Sequence, residues 1–149
     1  MAQQKQSGFT LIELMVVVIV LGVLASIALP SFQSTLERRR LIGASENLFA
    51  DLQYARSEAI KRNLNIELDL TILGAAWSYQ VDDGAGGVLR TVASTNYNDI
   101  QMSVGGDIVF EPRQGMPTPA AAHVYTLRIG GAGTTKTVSV NAIGRIKME

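Results

Sequence analysis

The pattern of apolar and polar positions changes twice along the chain. From residue 9 to residue 29 nearly every side chain is apolar, and Glu13 is the one ionisable group in the run. At a rise of about 1.5 Å per residue, a run of this length can cross a hydrocarbon core of about 30 Å as one helix. The pattern therefore predicts a membrane-spanning helix near the start of the chain.

Beyond this run, the apolar positions recur at helical spacing. Pro30 removes one backbone hydrogen bond and is expected to kink the helix, but the amphipathic pattern resumes after it. We therefore predict one long helix over residues 10–63, whose second half covers another layer with an apolar stripe. The stripe comprises Phe32, Leu36, Leu41, Leu48, Leu52, Ala55 and Ala59.

After the helix, apolar and polar residues alternate with a period of two, which is typical of strands with one buried face. Glycine-rich turns separate these short runs, and this arrangement predicts antiparallel pairing. The helix stripe would cover the apolar face of the sheet, so the predicted fold class is α+β. The predicted strands are residues 66–72, 77–81, 88–92, 100–104, 108–110, 124–129 and 135–140.

Glu13 distinguishes the apolar run from a secretory signal peptide. Lys5 before the run and the small residues 26–28 favour such a peptide. Its apolar region, however, usually holds about 7 to 15 residues, fewer than here. A charge inside a membrane helix costs roughly 2.5 to 3.5 kcal/mol and calls for a partner. Glu13 is therefore a candidate functional residue, and the alternative is that its carboxylate snorkels to the membrane interface.

The string G-F-T-L-I-E at residues 8–13 follows a short polar leader and resembles the class III signal of type IV pilins and type II secretion pseudopilins. The resemblance implies that a prepilin peptidase cuts between Gly8 and Phe9 and methylates the new amine of Phe9. It also implies that Glu13 pairs with the free amino terminus of a neighbouring subunit and sets the axial register of a filament. A buried carboxylate needs such a cation.

Three further strings are similar to the FimT/FimU/GspH subgroup of minor pilins and pseudopilins. They are A-R-S-E-A at residues 55–59, an F-x-P-x-x-G-like piece at residues 110–115, and G-R-I-K at residues 144–147, the last placed on the final strand. The resemblance implies a leader at 1–8, a transmembrane and filament-core helix at 9–30, its amphipathic half at 31–63 and an antiparallel β-sheet domain at 64–149.

The charged residues near the end of the helix can also be interpreted as a solvated helix face. They are Arg56, Glu58, Lys61 and Arg62. We treat these charges as structural and the A-R-S-E-A string as a marker of the family.

Composition excludes several classes of site. The 149 residues include 13 Lys or Arg and 13 Asp or Glu, and removal of the leader takes away Lys5, so DNA binding would have to rest on a local cluster. Cysteine is absent and His123 is the single histidine, predicted at a loop or strand edge, so we expect no disulfide, catalytic triad, metal site or cofactor. Aspartates near glycines are interpreted as turn residues rather than calcium ligands: Asp82, Asp83, Asp99 and Asp107.

The basic C-terminus is the candidate DNA-binding site, with Lys136, Arg145 and Lys147 as its residues. The G-R-I-K string resembles a G-R-x-R element through which some FimT-like minor pilins are thought to bind DNA during uptake. Lys147 departs from that element, because lysine keeps the charge but lacks the bidentate fork of arginine. The alternative is that a final strand carries charges to remain soluble.

The sequence thus predicts a structural protein rather than an enzyme, and most closely a FimT-like minor pilin of a type IV pilus. It would be a single-pass inner-membrane protein with a periplasmic C-terminal domain, and later part of the filament near its tip. Its expected partners are major and minor pilins, the prepilin peptidase, the inner membrane and DNA. The alternative is a GspH-like minor pseudopilin of type II secretion that binds no DNA.

Arg38, Arg39 and Arg40 argue against this orientation, since the positive-inside rule would keep them in the cytoplasm. The leader is the more specific signal, and we give it precedence.

Overall fold

A computed structural model describes residues 9–103, 105–130 and 133–149 of the chain. The chain divides into two compact units, Met1–Leu36 and Glu37–Glu149. Helix α1, Leu11–Arg62, begins in the first unit and ends in the second, and Pro30 lies inside it without ending it. The predicted helix, 10–63, is confirmed to within one residue at each end, whereas the predicted leader lies outside the described residues.

In the first unit, all described side chains from residue 9 to residue 36 are exposed. Among the described residues, α1 is the helix long and apolar enough to cross a membrane, with a mean hydropathy of 2.8 over its most apolar window. An apolar surface of this size is not stable in water, so it requires lipid or the helices of other subunits around it.

In the second unit, α1 buries one stripe of large and small apolar side chains. The large ones are Leu41, Leu48 and Leu52, and alanines between them allow the helix to pack closely on the strands. Phe32 and Leu36 were expected in this stripe, but they lie in the first unit and are exposed. The covering stripe therefore begins at Leu41.

The strands form two antiparallel sheets, where the sequence pattern predicted one. The five-stranded sheet has the order β3-β2-β1-β5-β6, and the four-stranded sheet has the order β4-β7-β8-β9. The strands are β1 Ile66–Leu73, β2 Ala76–Asp82, β3 Val88–Ala93, β4 Ile100–Ser103, β5 Ile108–Phe110, β6 Pro117–Thr118, β7 His123–Ile129, β8 Thr135–Val140 and β9 Ile146–Met148.

The inward faces of both sheets share one core with α1. Trp77 on β2 is 3% exposed, and its indole Nε1 donates a hydrogen bond of 2.8 Å to the carbonyl oxygen of Ile100 on β4. The Trp77 ring also stacks on Tyr79 and Tyr97, with centroids 6.2 Å and 6.0 Å apart. Trp77 therefore joins the two sheets through the core.

The end of the chain differs from the prediction that the G-R-I-K string, residues 144–147, lies on the same last strand as residues 135–140. β8 ends at Val140, a turn follows, and β9 begins at Ile146. The short strands β6 and β9 were not predicted as separate strands. β6 holds two residues, which are too few to show an alternating pattern, and the start of β9 was placed on the same strand as β8. The predicted end of β4, Val104, lies outside the described residues.

Candidate functional site

Phe9, assigned to cleavage and methylation, lies just before α1, and Glu13, assigned to assembly, lies in its first turn, whereas Gly8 lies outside the described residues. Phe9 is 87% exposed. The backbone nitrogen and the Oγ1 hydroxyl of Thr10 each donate to Glu13 Oε2 at 3.0 Å, and the backbone nitrogen of Glu13 donates to Thr10 Oγ1 at 3.3 Å. These reciprocal bonds form a capping box at the start of the helix.

The capping box gives Glu13 a local role that the sequence analysis missed. The signal was present in the string T-L-I-E, because a threonine followed by a glutamate three residues later, before an apolar run, predicts this cap. The bonds satisfy the carboxylate with neutral donors but leave its charge uncompensated. Glu13 can therefore both start its own helix and attract a cation.

The three strings that resemble the pilin subgroup meet at one place, which we call the Arg56 junction: Arg56, Gly115 and Gly144. Arg56 Nε donates a hydrogen bond of 3.1 Å to the carbonyl oxygen of Gly115. A Cβ atom at Gly144 would lie 2.4 Å from that oxygen and 3.2 Å from Arg56 Nε, and Gly144 has φ +77°. Only glycine fits there, so the junction explains why these strings contain an arginine and two glycines.

The solvated-face interpretation of residues 56–62 is wrong for Arg56, which is half-buried at the junction, and for Glu58. The Glu58 side chain is 7% exposed and forms ion pairs with Lys61, at 3.3 Å, and with Arg62. The hydrogen bond from Arg62 holds the pKa of Glu58 below its ordinary value. These charges stabilise the end of the helix.

The structure brings Arg145 and Lys147 together but places Lys136 elsewhere. Lys147 pairs with Ser139 across β8 and β9, and the carbonyl oxygen of Arg145 accepts a bond from Asn141. Lys136 pairs with Leu127, is half-buried and shares the inward face of β8. It lies roughly 16 Å along β8 from the position opposite Arg145, at about 3.3 Å per residue.

The turn before Arg145 is held by the side chain of Asn141. Asn141 Oδ1 accepts hydrogen bonds from the backbone nitrogens of Ile143, at 3.2 Å, and Arg145, at 2.8 Å. The backbone nitrogen of Gly144 donates to the carbonyl oxygen of Asn141 at 2.9 Å. Arg145 therefore projects from a fixed backbone.

Turn aspartates behave as predicted in the hairpin between β2 and β3. Asp82 Oδ1 accepts a bond from Gly84, and Asp83 Oδ1 accepts bonds from Gly87 and Ala85. These bonds, that from Gly87 first, hold the pKa of Asp83 below its ordinary value. No group of three His, Asp or Glu side chains placed to hold a metal occurs within the described residues.

An acidic surface on the outer face of the five-stranded sheet was not predicted. Glu67 lies directly opposite Asp82, with Asp69 two residues along the same strand. Partial burial, followed by the charges of neighbouring carboxylates, raises the pKa of Glu67 and of Asp69. We call Glu67, Asp69 and Asp82 the acidic face.

His123, predicted at a loop or strand edge, is the first residue of β7 and is 7% exposed. Its Nε2 lies 3.3 Å from the carbonyl oxygen of Pro119, which accounts for its burial as a hydrogen-bonded side chain.

Two family models match the chain. One is described as Type II transport protein GspH and matches residues 44–144, and the other is described as Prokaryotic N-terminal methylation motif and matches residues 3–29. The first match covers the second half of α1 and most of the strands, and the second covers the apolar start of the chain, so together they extend over most of the chain.

Curated relatives include a fimbrial protein, EcpC, from Eikenella corrodens, which is 34% identical over 71% of this chain. The chain spans 60% of the length of that protein. The pilin-like protein PilA1 from Thermus thermophilus is 30% identical, over 95% of this chain and 97% of that protein.

Among solved structures, the type IV minor pilin FimU from Pseudomonas aeruginosa superimposes with a TM-score of 0.64, at 24% identity, over 76% of this chain and 90% of that chain. This likeness confirms the α+β fold of one long helix with packed antiparallel strands.

Proposed function

Because the chain belongs to the GspH family of pilin-like proteins and carries the N-terminal methylation motif, we propose that it is a minor pilin of a type IV pilus. It is a membrane-anchored, pilin-like structural subunit rather than an enzyme, and it assembles with other pilins. The observation that carries the proposal is a fully exposed apolar helical segment whose first turn contains the carboxylate of Glu13.

The same segment begins at the position where the chain would be processed. Cleavage between Gly8 and Phe9 by the prepilin peptidase would free an amine one turn before Glu13, and the peptidase would methylate it. The anchor would hold the subunit in the inner membrane with the globular unit in the periplasm. On assembly near the filament tip, Glu13 would pair with the terminal amine of a neighbouring subunit, because a charge inside a bundle of apolar helices requires a counter-ion.

Substitutions at Glu13 and Thr10 separate the charge from the cap. Glu13→Gln keeps a side chain that can complete a capping box but removes the charge, Glu13→Ala removes both, and Thr10→Val removes the cap alone. We expect all three variants to lose the leader normally. Both Glu13 variants should be strongly depleted from sheared filaments, whereas Thr10→Val should be incorporated, as measured by immunoblots of sheared and cell-bound fractions.

Incorporation of Glu13→Gln at the wild-type level would contradict the pairing role. A wild-type chain that is absent from sheared pili, but whose deletion stops protein secretion, would instead identify a type II secretion pseudopilin, the alternative that the GspH family model favours.

DNA binding is a second candidate function, and the pair Arg145 and Lys147 favours it. Both side chains are exposed, and within the described residues neither forms an ion pair with a carboxylate. Such cations bind phosphates without reading sequence, and the binding weakens as salt rises because counter-ions are released from DNA.

Fluorescence anisotropy of a labelled duplex, with the full mature chain in non-ionic detergent at two salt concentrations, tests this function. We expect binding that decreases with salt, is lost in the double variant Arg145→Ala and Lys147→Ala, and persists in Lys136→Ala, because Lys136 lies on the other face of β8. Each removed phosphate contact should reduce the salt slope by about one unit. A wild-type chain that binds no DNA at low salt would disprove the function.

A further inference from the structure

A shallow groove lies beside the Arg56 junction, between the second half of α1 and the start of β9. Its volume is about 360 Å³, and it is lined by Gln53, Arg56, Ser57, Ile60, Arg145 and Ile146. Two of these side chains are cationic and none is acidic. We call this feature the arginine groove.

Contacts outside the groove hold the Arg56 side chain and the Arg145 backbone. The bond from Arg56 Nε to Gly115 uses one of the five N–H donors of the guanidinium, so the terminal nitrogens keep their donors. Gly144 leaves room for this guanidinium, since a Cβ there would lie 3.4 Å from Arg56 Cζ. The backbone nitrogen of Arg145, the residue after Gly144, donates to Asn141 Oδ1 at 2.8 Å. The Arg56 guanidinium and the Arg145 backbone are thus in place before a ligand binds, which lowers the cost of ordering them.

The electrostatics of the groove favour an anion. Two guanidinium groups share one concave surface, and in the described residues neither is within 4.0 Å of a carboxylate. Like charges held together are unfavourable unless an anion lies between them. Ile60 and Ile146 form the apolar walls of the groove.

The donor set selects the class of anion. Guanidinium groups bind phosphate through paired N–H donors, and the Gln53 amide adds a neutral donor at the same surface. Sequence-independent recognition of DNA uses phosphate contacts of this kind.

We propose that the arginine groove is a phosphate-binding site, and that in the DNA complex it holds a backbone phosphate between Arg56 and Arg145. This inference rests on the DNA-binding function proposed above. It adds Arg56, from the helix, to a binding surface otherwise formed by the last strand, and it gives the Arg56 junction a role in function as well as in folding.

The test places a carboxylate in the groove and leaves the Arg56 junction intact. Gln53→Glu replaces an exposed amide by an acid of the same shape, which would pair with the arginines. Asn98→Asp is the matched control, because it makes the same chemical change at an exposed position that does not line the groove. We expect Gln53→Glu to weaken DNA binding by the full chain about tenfold and to reduce the salt slope by about one unit, with little change in Asn98→Asp.

A titration with inorganic phosphate, at constant ionic strength, separates this site from DNA binding as a whole. We expect the amide NMR signals of Ser57, Gly144 and Arg145 to shift in the wild-type chain and not in Gln53→Glu. Equal DNA affinity of Gln53→Glu and wild type, with the double variant still inactive, would overturn the groove and leave the DNA-binding function standing. Phosphate shifts at the groove without DNA binding would support the phosphate site and overturn its assignment to DNA.

Discussion

The Glu13 carboxylate needs both hydrogen-bond donors and a counter-ion, and the capping box supplies only the donors. Thr10 supplies hydrogen bonds to the carboxylate, which lowers the cost of taking it out of water. It supplies no positive charge, and an uncompensated charge in an apolar environment remains costly. The pairing of Glu13 with a cation therefore stays a prediction, and the effect of a Glu13 substitution on assembly must be separated from the effect of losing the helix cap.

Arg56 shows what could not be predicted at the residue scale. Its string was identified as typical of the family, but its partner Gly115 is 59 residues away in sequence. A single sequence carries no signal for such a pairing. Gly115 and Gly144 are weaker signals, because a glycine is compatible with a positive φ or with another group lying close to the backbone. The grouping of the candidate DNA-binding residues has the same cause, since sequence proximity placed Lys136 with a pair from which the fold separates it.

Glu67 is expected to destabilise the fold at neutral pH. It faces Asp82 directly, and partial burial and its neighbours raise its pKa. Glu67 therefore loses its proton at a lower pH in the unfolded chain than in the folded chain. As a result, the free energy of unfolding falls as the pH rises through the folded pKa of Glu67. Glu67→Gln should raise the free energy of unfolding at pH 7 by up to about 1 kcal/mol, and this gain should vanish below the ordinary glutamate pKa of about 4.3.

Urea denaturation of the detergent-solubilised chain, followed by the fluorescence of the single tryptophan, Trp77, measures this effect. Glu46→Gln, an exposed change on α1, is the control and should have little effect at either pH. A gain for Glu67→Gln that persists unchanged at pH 4 would show that charge repulsion is not its cause.

At the scale of elements, the sequence pattern located most strands because each alternates between the core and solvent. The strands β5 and β8 agree with the predicted bounds, β1, β3 and β7 differ by one residue at one end, and β2 differs by one residue at each end. The pattern does not encode which strands pair, so it could not separate two sheets. Nor could it find the turn after β8, where Ala142 continues the apolar alternation of Val138 and Val140 while Asn141 bends the backbone.

At the scale of the whole molecule, a net charge near zero conceals two surfaces of opposite sign within the second unit. The acidic face lies on the five-stranded sheet, and Arg145 and Lys147 lie at the end of the four-stranded sheet. Composition alone argued against binding to nucleic acid, but attraction depends on the local potential. The acidic face would repel DNA, which should restrict any complex to the side that carries the basic pair.

The division of the chain into two units predicts that the second unit folds without the first. Its core is built from its own residues, beginning at Leu41, and the described side chains before residue 37 are exposed. A fragment over residues 37–149 should therefore unfold in one cooperative transition. Its free energy of unfolding should lie within about 0.5 kcal/mol of that of the full chain, since exposed groups away from the core contribute little.

Urea titrations of the fragment and of the full chain in the same detergent, followed by Trp77 fluorescence, compare their free energies of unfolding. Flotation with lipid vesicles compares their binding to membranes. The full chain should float and the fragment should remain in the soluble fraction, because the apolar segment is its anchor. A fragment that lacks a cooperative transition, or loses more than about 2 kcal/mol, would show that residues before 37 stabilise the globular unit, since a loss of that size requires a named structural cause such as a missing core contact.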